Sequence, residues 1–456
     1  MLFNDVFARF VAESPICVLA RGLLERALSP QSLDRLFDKT AQRQYTRELL
    51  FSTTVDLMSM AVCRIRPSVH AAYQAKEAEV AVSVGALYDK LQCLEPGISS
   101  ALVLHTATRL EPIIRKLKGT TPPLAKGYKT KILDGNHLGH SERRPKILRD
   151  VVAGPLPGQT LVVLEPETGL ATGVICCEDG HAQERKLLEE IWPFVEKNDL
   201  WIADRNFCTT TFLFGLMARE SKFIIRQHAA TLRWQRQSRR RRVGRTATGV
   251  VYERKLWLQD EDGKEKAVRQ ITLVLDKPTR DGDKTIQLLT NLPAKVVAAK
   301  VAEMYRKRWT VEQLFQRMTV LLRCEVNTLA YPKAALFGFC VALAASNVLA
   351  GVRAALRATH GQEVDEQVSD YYVADELAKT YRGMMIALPE AEWRYLTELS
   401  ESDFVAWLVS VAKGACLDRY QKHTRGPKKP RTPRTRYTKA KHVATARLIA
   451  DENKKE

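Results

Sequence analysis

Apolar residues recur at helical spacing through the first 120 residues, as at Leu24 and Leu28 and again at Leu33, Leu36 and Phe37, with Arg, Glu and Gln in many of the gaps. Within that region Val84 to Tyr88, then Leu91 and a Pro96-Gly97 pair, predict a helix, a turn and a second helix. A DNA-reading helix-turn-helix and plain helical packing both fit, and no basic recognition face favours the first. Thr120-Thr121-Pro122-Pro123 ends the helical pattern. Short β-type runs follow at 130–134, 161–165 and 170–177, the last two joined by the turn Pro166-Glu167-Thr168-Gly169. A helical stretch over 182–196 and a strand over 200–204 come next. Residues 222–292 are again β-rich, with runs at 223–225, 250–252, 271–275 and 286–289, and Pro293 opens a helical region through residue 323. The run 334–350 imitates a membrane span but falls short of the ~20 residues one needs and carries Ser346 and Asn347, which predicts a buried core helix. Amphipathic helices continue from 355 to about 417.

Composition adds a partner. The 456 residues hold 71 Lys and Arg against 52 Asp and Glu, a balance of +19 that attracts polyanions before any specific contact forms. Part of this charge lies in the Pro-broken tail 425–434, which reads as a polyanion-binding arm or a solvated tail, and in the cluster Arg233, Trp234, Arg236, Arg239, Arg240, Arg241 and Arg242 inside the β-rich stretch, a DNA contact or a solvated basic loop. Guanidinium groups beside an indole suit a phosphate backbone next to an unstacked base. Hydrophobic residues at 45% and charged ones at 27% exclude general disorder. Nine scattered cysteines without a CxxC suggest neither a zinc ribbon nor a disulfide framework and fit a reducing cytoplasm, and the N-terminal residues do not read as a secretory signal.

Two aspartates end apolar strands: Asp134 in Ile-Leu-Asp-Gly-Asn-His and Asp204 in Trp-Ile-Ala-Asp-Arg-Asn-Phe. A carboxylate at a strand end is pinned by the sheet and projects at its edge, as a divalent-metal site asks of oxygen ligands. Taken singly, each is equally well a turn residue. Tyr305, Arg308 and Glu312 are spaced to share a face if their helix is continuous, although Thr310 and Gln313 form a capping box that would start a new helix at that point. An exposed Arg–Glu pair is the plain alternative. His137 and His140 need not converge on a metal, and Glu178, Asp179, Glu189 and Glu190 read as solvated acids.

Asp134-Gly135, Asp204-Arg205 and Tyr305 with Arg308 and Glu312 together resemble the IS4-type transposases of bacterial insertion sequences, members of the DDE superfamily. The resemblance extends loosely over 130–350. It implies an α/β fold: an RNase H-like catalytic core, a mixed five-stranded sheet with helices, interrupted by a β-rich insertion over about 228–292. On this reading 1–120 is a helical DNA-binding region, 121–355 the catalytic domain, 356–420 a helical C-terminal region and 421–456 a basic tail. The resemblance makes Asp134, Asp204 and Glu312 both the catalytic residues and the ligands of two Mg²⁺ ions, for which Mn²⁺ can substitute. Tyr305 and Arg308 resemble the family's phosphate-contacting pair, and Trp309 an aromatic of its flipped-base pocket.

One position departs from the pattern. The family has Lys seven residues after the Glu, where this chain has Thr319, able to hydrogen-bond a phosphate but without charge. Arg323 returns to the same helical face about 16 Å along the axis, too far to replace that Lys at the metals. Both remain expected DNA contacts. The resemblance implies a cut-and-paste transposase acting as a homodimer on double-stranded DNA, the terminal inverted repeats and the target, in a bacterial cytoplasm near the nucleoid and without a membrane partner. A catalytically inactive transposase-derived DNA-binding protein and a metal-dependent nuclease that never joins strands are the alternatives.

Overall fold

The computed structural model describes residues 5–46, 48–228, 232–260, 262–279, 282–423 and 442–454. Ten strands form one mixed sheet: β1 (Lys129–His137), β2 (Gln159–Glu165), β3 (Leu170–Cys177), β4 (Asp199–Ala203), β5 (Lys222–Arg226), β6 (Trp234–Gln237), β7 (Arg241–Thr246), β8 (Gly249–Gln259), β9 (Glu265–Leu275) and β10 (Thr285–Thr290). Their order is β3-β2-β1-β4-β5-β10-β9-β8-β6, with β7 also paired to β8. The first three are antiparallel, whereas β1, β4 and β5 run parallel. Every residue of β2 and β4 is buried, the state that continuous apolar strand sequences anticipate.

The five-stranded sheet expected from the sequence is therefore only half of what forms. The β-rich stretch does not stand apart: β10 pairs antiparallel with β5, Leu288 opposite Arg226 and Thr290 opposite Ile224, so the sheet runs on through it. An apolar edge such as Phe223-Ile224-Ile225 would otherwise expose unpaired backbone groups. The helix expected over 182–196 is broken into the short helix Glu184–Leu187 and the 3₁₀ turns Leu188–Glu190 and Trp192–Phe194; Pro193 lacks the amide that a longer helix would use. The single helical region expected up to residue 323 is two helices, Ala298–Arg306 and Trp309–Leu321.

The apolar run becomes the 29-residue helix Pro332–His360. It is long and apolar enough to cross a membrane, yet 83% of its most apolar window is buried against Pro15–Ala27, Phe51–Val62, Pro96–Lys116, Glu401–Lys413 and β3. Asn347 has a role there: its side-chain amide donates to the Ala171 carbonyl at 3.0 Å and accepts from the Ala171 amide at 2.8 Å, satisfying the edge of β3. The expected helix pair in the N-terminal region is Val84–Cys93 and Pro96–Lys116. The second of these turns Ile98, Leu102, Leu110 and Ile114 into the core and leaves Leu104, Thr108, Arg109 and Arg115 exposed. Just beyond it Gly119 meets the long helix so closely that a Cβ would lie 2.3 Å from the Ala354 carbonyl oxygen. The basic tail 425–434 lies outside the described residues; after it, His442–Ala444 pairs with Gly154–Leu156, and Arg447 forms an ion pair with Asp179 at 2.7 Å.

Candidate active site

β1 and β4 bring the two aspartates together. Leu133 is in register with Ala203, so Asp134 and Asp204 follow side by side, about 4.8 Å apart at the backbone. Asp204 lies just past the end of β4, as expected, but Asp134 lies within β1, which runs on to His137 because its pairing with β2 continues after that with β4 stops. Each carboxylate accepts from the following amide, Asp134 from Gly135 at 3.1 Å and Asp204 from Arg205 at 2.6 Å. Glu312 arrives on the helix Trp309–Leu321, which packs against β1. The Arg308 guanidinium closes the group: Nη1 donates to Asp134 Oδ2 at 3.1 Å and Nη2 to Glu312 Oε1.

The helix carrying Tyr305 ends at Arg306 and the next begins at Trp309, with Arg308 as its N-cap, so Tyr305 and Glu312 reach the site from different helices. The break lies ahead of the capping box read from the sequence, and Thr310 Oγ1 instead donates to the Lys307 carbonyl at 2.7 Å. Burial pushes the Asp134 carboxyl up to about 7; Arg308 opposes that shift, and the Glu312 and Asp204 charges add to it. Burial works against the Arg308 charge as well, but Tyr305, Asp134, Glu312 and Asp204 outweigh it and raise its pKa. The Tyr305 phenol is raised by burial first and by Asp204 second.

Three carboxylates offer the hard oxygen donors a divalent cation takes. Among the described residues, however, no group of three or more acidic, His or Cys side chains is arranged to hold a metal. Between Asp134 and Glu312 the positive charge comes from Arg308. The donor set fits a metal by chemistry, and the guanidinium holds the place where a cation would neutralise the pair. His137 and His140 do not converge: His140 pairs its ring with His442 at 2.7 Å, whereas His137 lines a cleft of about 380 Å³ with Gln183, Glu184, Arg185 and Asn206.

Glu184 in that cleft was not anticipated from the sequence. Its carboxylate sits over Gly135, where a Cβ would come within 2.2 Å of Oε1, and accepts from Asn206 Nδ2 at 3.2 Å. The available signal was Gly135 itself, since glycine within a strand marks close approach. Glu189 and Glu190 are exposed, as expected of solvated acids, whereas Glu178 and Asp179 are half-buried and Asp179 is held by Arg447 and the His181 amide.

Trp309 stands 60% exposed beside this group. Thr319 is exposed farther along, its Oγ1 donating back to the Phe315 carbonyl at 3.0 Å; Arg323 is exposed too but does not return to that helical face as expected, because the helix ends at Leu321 and Leu322 is extended. The arginine cluster occupies β6, β7 and the segments beside them, where Arg233, Arg236, Arg239, Arg240, Arg241 and Arg242 are exposed and Trp234 is half-buried. Arg236 lies over the Trp257 ring at 4.6 Å and Arg240 over Tyr252 at 4.5 Å, aromatic partners on β8 that the sequence reading missed. The helix Ala298–Arg306 packs against β7, β8 and β9, which joins the basic strands to the element that carries Tyr305.

Residues 159–348 match the transposase DDE domain. The matched span contains Asp204 and Glu312 and begins after Asp134. No curated protein sequence matches the chain. Among solved structures, a piggyBac transposase synaptic complex with hairpin DNA aligns over 89% of this chain and 86% of that chain, at 12% identity and a TM-score of 0.39, a likeness too slight to bear on the site.

Proposed function

We propose that the protein is a DNA transposase of the IS4 type that binds the ends of its insertion sequence and cuts and rejoins phosphodiester bonds through Asp134, Asp204 and Glu312. The observation that carries this reading is the placement of Asp134 and Asp204 directly after the last register pair of two parallel strands, Leu133 with Ala203, with Arg308 linking Asp134 to Glu312. The transposase DDE match over 159–348 supports it. The half-sheet β3-β2-β1-β4-β5, antiparallel on one side of β1 and parallel on the other, supports an RNase H-like core.

Two Mg²⁺ ions, or Mn²⁺ in their place, would be held by the three acids and would stabilise the charge that develops during in-line displacement at phosphorus. The remaining work belongs to the chain. The sheet fixes both aspartates, Tyr305 and Arg308 hold the phosphate beside the cut, and the exposed Trp309 ring offers a surface for an unstacked base. The arginines in and beside β6 and β7, with Arg236 ordered by Trp257 and Arg240 by Tyr252, track the backbone farther out. Bringing two ends together for strand transfer calls for a pair of protomers on inverted repeats and target DNA.

The test incubates the protein with Mg²⁺ and linear DNA carrying the ends that flank its own gene, beside Asp204→Ala, on a denaturing gel. Cuts at the end boundary and joined products that vanish in the variant are expected. Cutting without any joined strand would favour a nuclease; binding without cutting in both proteins would favour a DNA-binding protein derived from a transposase.

A further inference from the structure

A second cleft, of about 390 Å³, opens where the helix that bears Glu312 ends, at the seam between the N-terminal helices and the loop after residue 321. Arg64, Pro67, Thr319, Arg323, Asn327 and Thr328 contribute to its lining. Arg64 comes from the turn after the helix Phe51–Val62 and Arg323 from the loop that follows Leu321. The two are bound to the same turn: the Arg323 amide donates to the Val62 carbonyl at 2.8 Å, and its guanidinium donates to the Pro67 carbonyl.

Arg64 is held in the left-handed region, at φ 62°. The position just past a helix end is one that glycine fills without strain, and a side chain there opposes the backbone geometry. Strain of this kind persists where the rest of the structure over-determines it, and it gathers at functional sites. Neither guanidinium forms an ion pair among the described residues. One acid, Glu325, also lines the cleft, its carboxylate held against Gly139, where a Cβ would lie 2.2 Å from its Oε2. The result is a concave site with two exposed guanidinium groups, a donor surface that suits a phosphodiester, while the Thr319 hydroxyl is already committed to the Phe315 carbonyl.

We infer that this cleft seats a backbone phosphate of duplex DNA, with Arg64 from the N-terminal helices and Arg323 providing the positive charge that Thr319 does not. The inference rests on the reading of DNA as the substrate. It makes the seam a DNA contact shared between the N-terminal helices and the loop after Leu321, so that a bound duplex would hold the two together.

Arg64→Gly is the informative variant, because it relieves the backbone while deleting the cation. Binding of a random-sequence duplex is measured against salt concentration, together with thermal unfolding. The variant is expected to unfold at the same or a higher temperature, yet bind DNA roughly five- to tenfold more weakly, with the slope of log affinity against log salt reduced by about 0.9, one phosphate contact. Adding Thr319→Lys to it is expected to restore the slope. A well-folded Arg64→Gly protein with unchanged slope would overturn the cleft alone, as would a lost slope that Thr319→Lys does not restore. A wild-type protein that binds no duplex DNA would overturn the functional reading, and this inference with it.

Discussion

The guanidinium of Arg308 ties a central strand to a helix, donating from Nη1 to Asp134 at 3.1 Å and from Nη2 to Glu312. Its side chain is only 13% exposed, so both bonds are largely shielded from water. Removing one partner of such a cluster leaves the others uncompensated. Arg308→Ala is expected to lower stability by roughly 3 kcal/mol in chemical denaturation. Added Mg²⁺ should return part of that loss, as a cation takes over between the two acids. Equal loss with and without Mg²⁺ would count against these carboxylates as a cation site.

The Asp134 carboxyl titrates near 7 in the folded chain, against an ordinary value near 3.8. Across that window the folded state keeps a proton that the unfolded state has released, so stability falls as pH rises and levels off above about 7. Asp134→Asn removes this dependence. Measured relative to the variant, wild type should lose up to ~1.4 kcal/mol per pH unit within the window. Parallel unfolding-temperature curves for the two proteins would contradict the assignment.

The two aspartates and the Tyr305 to Glu312 segment were legible because each rests on local pattern: an apolar run followed by an acid, and helical spacing. Two features were not. The pairing of β10 with β5 joins residues more than 60 positions apart, Thr290 with Ile224, and nothing within either strand names its partner. Glu184 looked like any acid at a helix start, and its place over Gly135 follows only from how the turn before β4 folds back. The break at Lys307 and Arg308 was half-visible, since the capping residues pointed to a new helix but placed its start too late.

Trp309 separates binding from folding. At 60% exposure it contributes little to the core, so Trp309→Ala should change stability by under about 0.5 kcal/mol. Its loss as a stacking surface should weaken binding of DNA with an unpaired base by ~1–3 kcal/mol, read in a direct binding assay against a fully paired duplex. A drop in unfolding temperature with unaltered binding would place the ring in packing instead.

Gly119 tests the seat of the long helix. A methyl there would press on the Ala354 carbonyl, a backbone atom that cannot rotate aside, next to the bond that Arg357 Nε donates to the Gly119 carbonyl at 2.7 Å. Gly119→Ala should cost about 1–3 kcal/mol, with DNA affinity at low temperature unchanged. Denaturant titration beside a binding curve checks both.

The helix Pro332–His360 also sets a timetable for synthesis. The N-terminal helices, which end at Lys116, bury much of their apolar surface only against it, and the chain from Lys116 to Pro332 must be made first. At ~5–20 residues per second that leaves them waiting roughly ten to forty seconds on the ribosome without their partner. A truncated product ending near residue 120 would therefore emerge sticky and dependent on chaperones. Release of a finished N-terminal region ahead of the catalytic one is closed to this architecture.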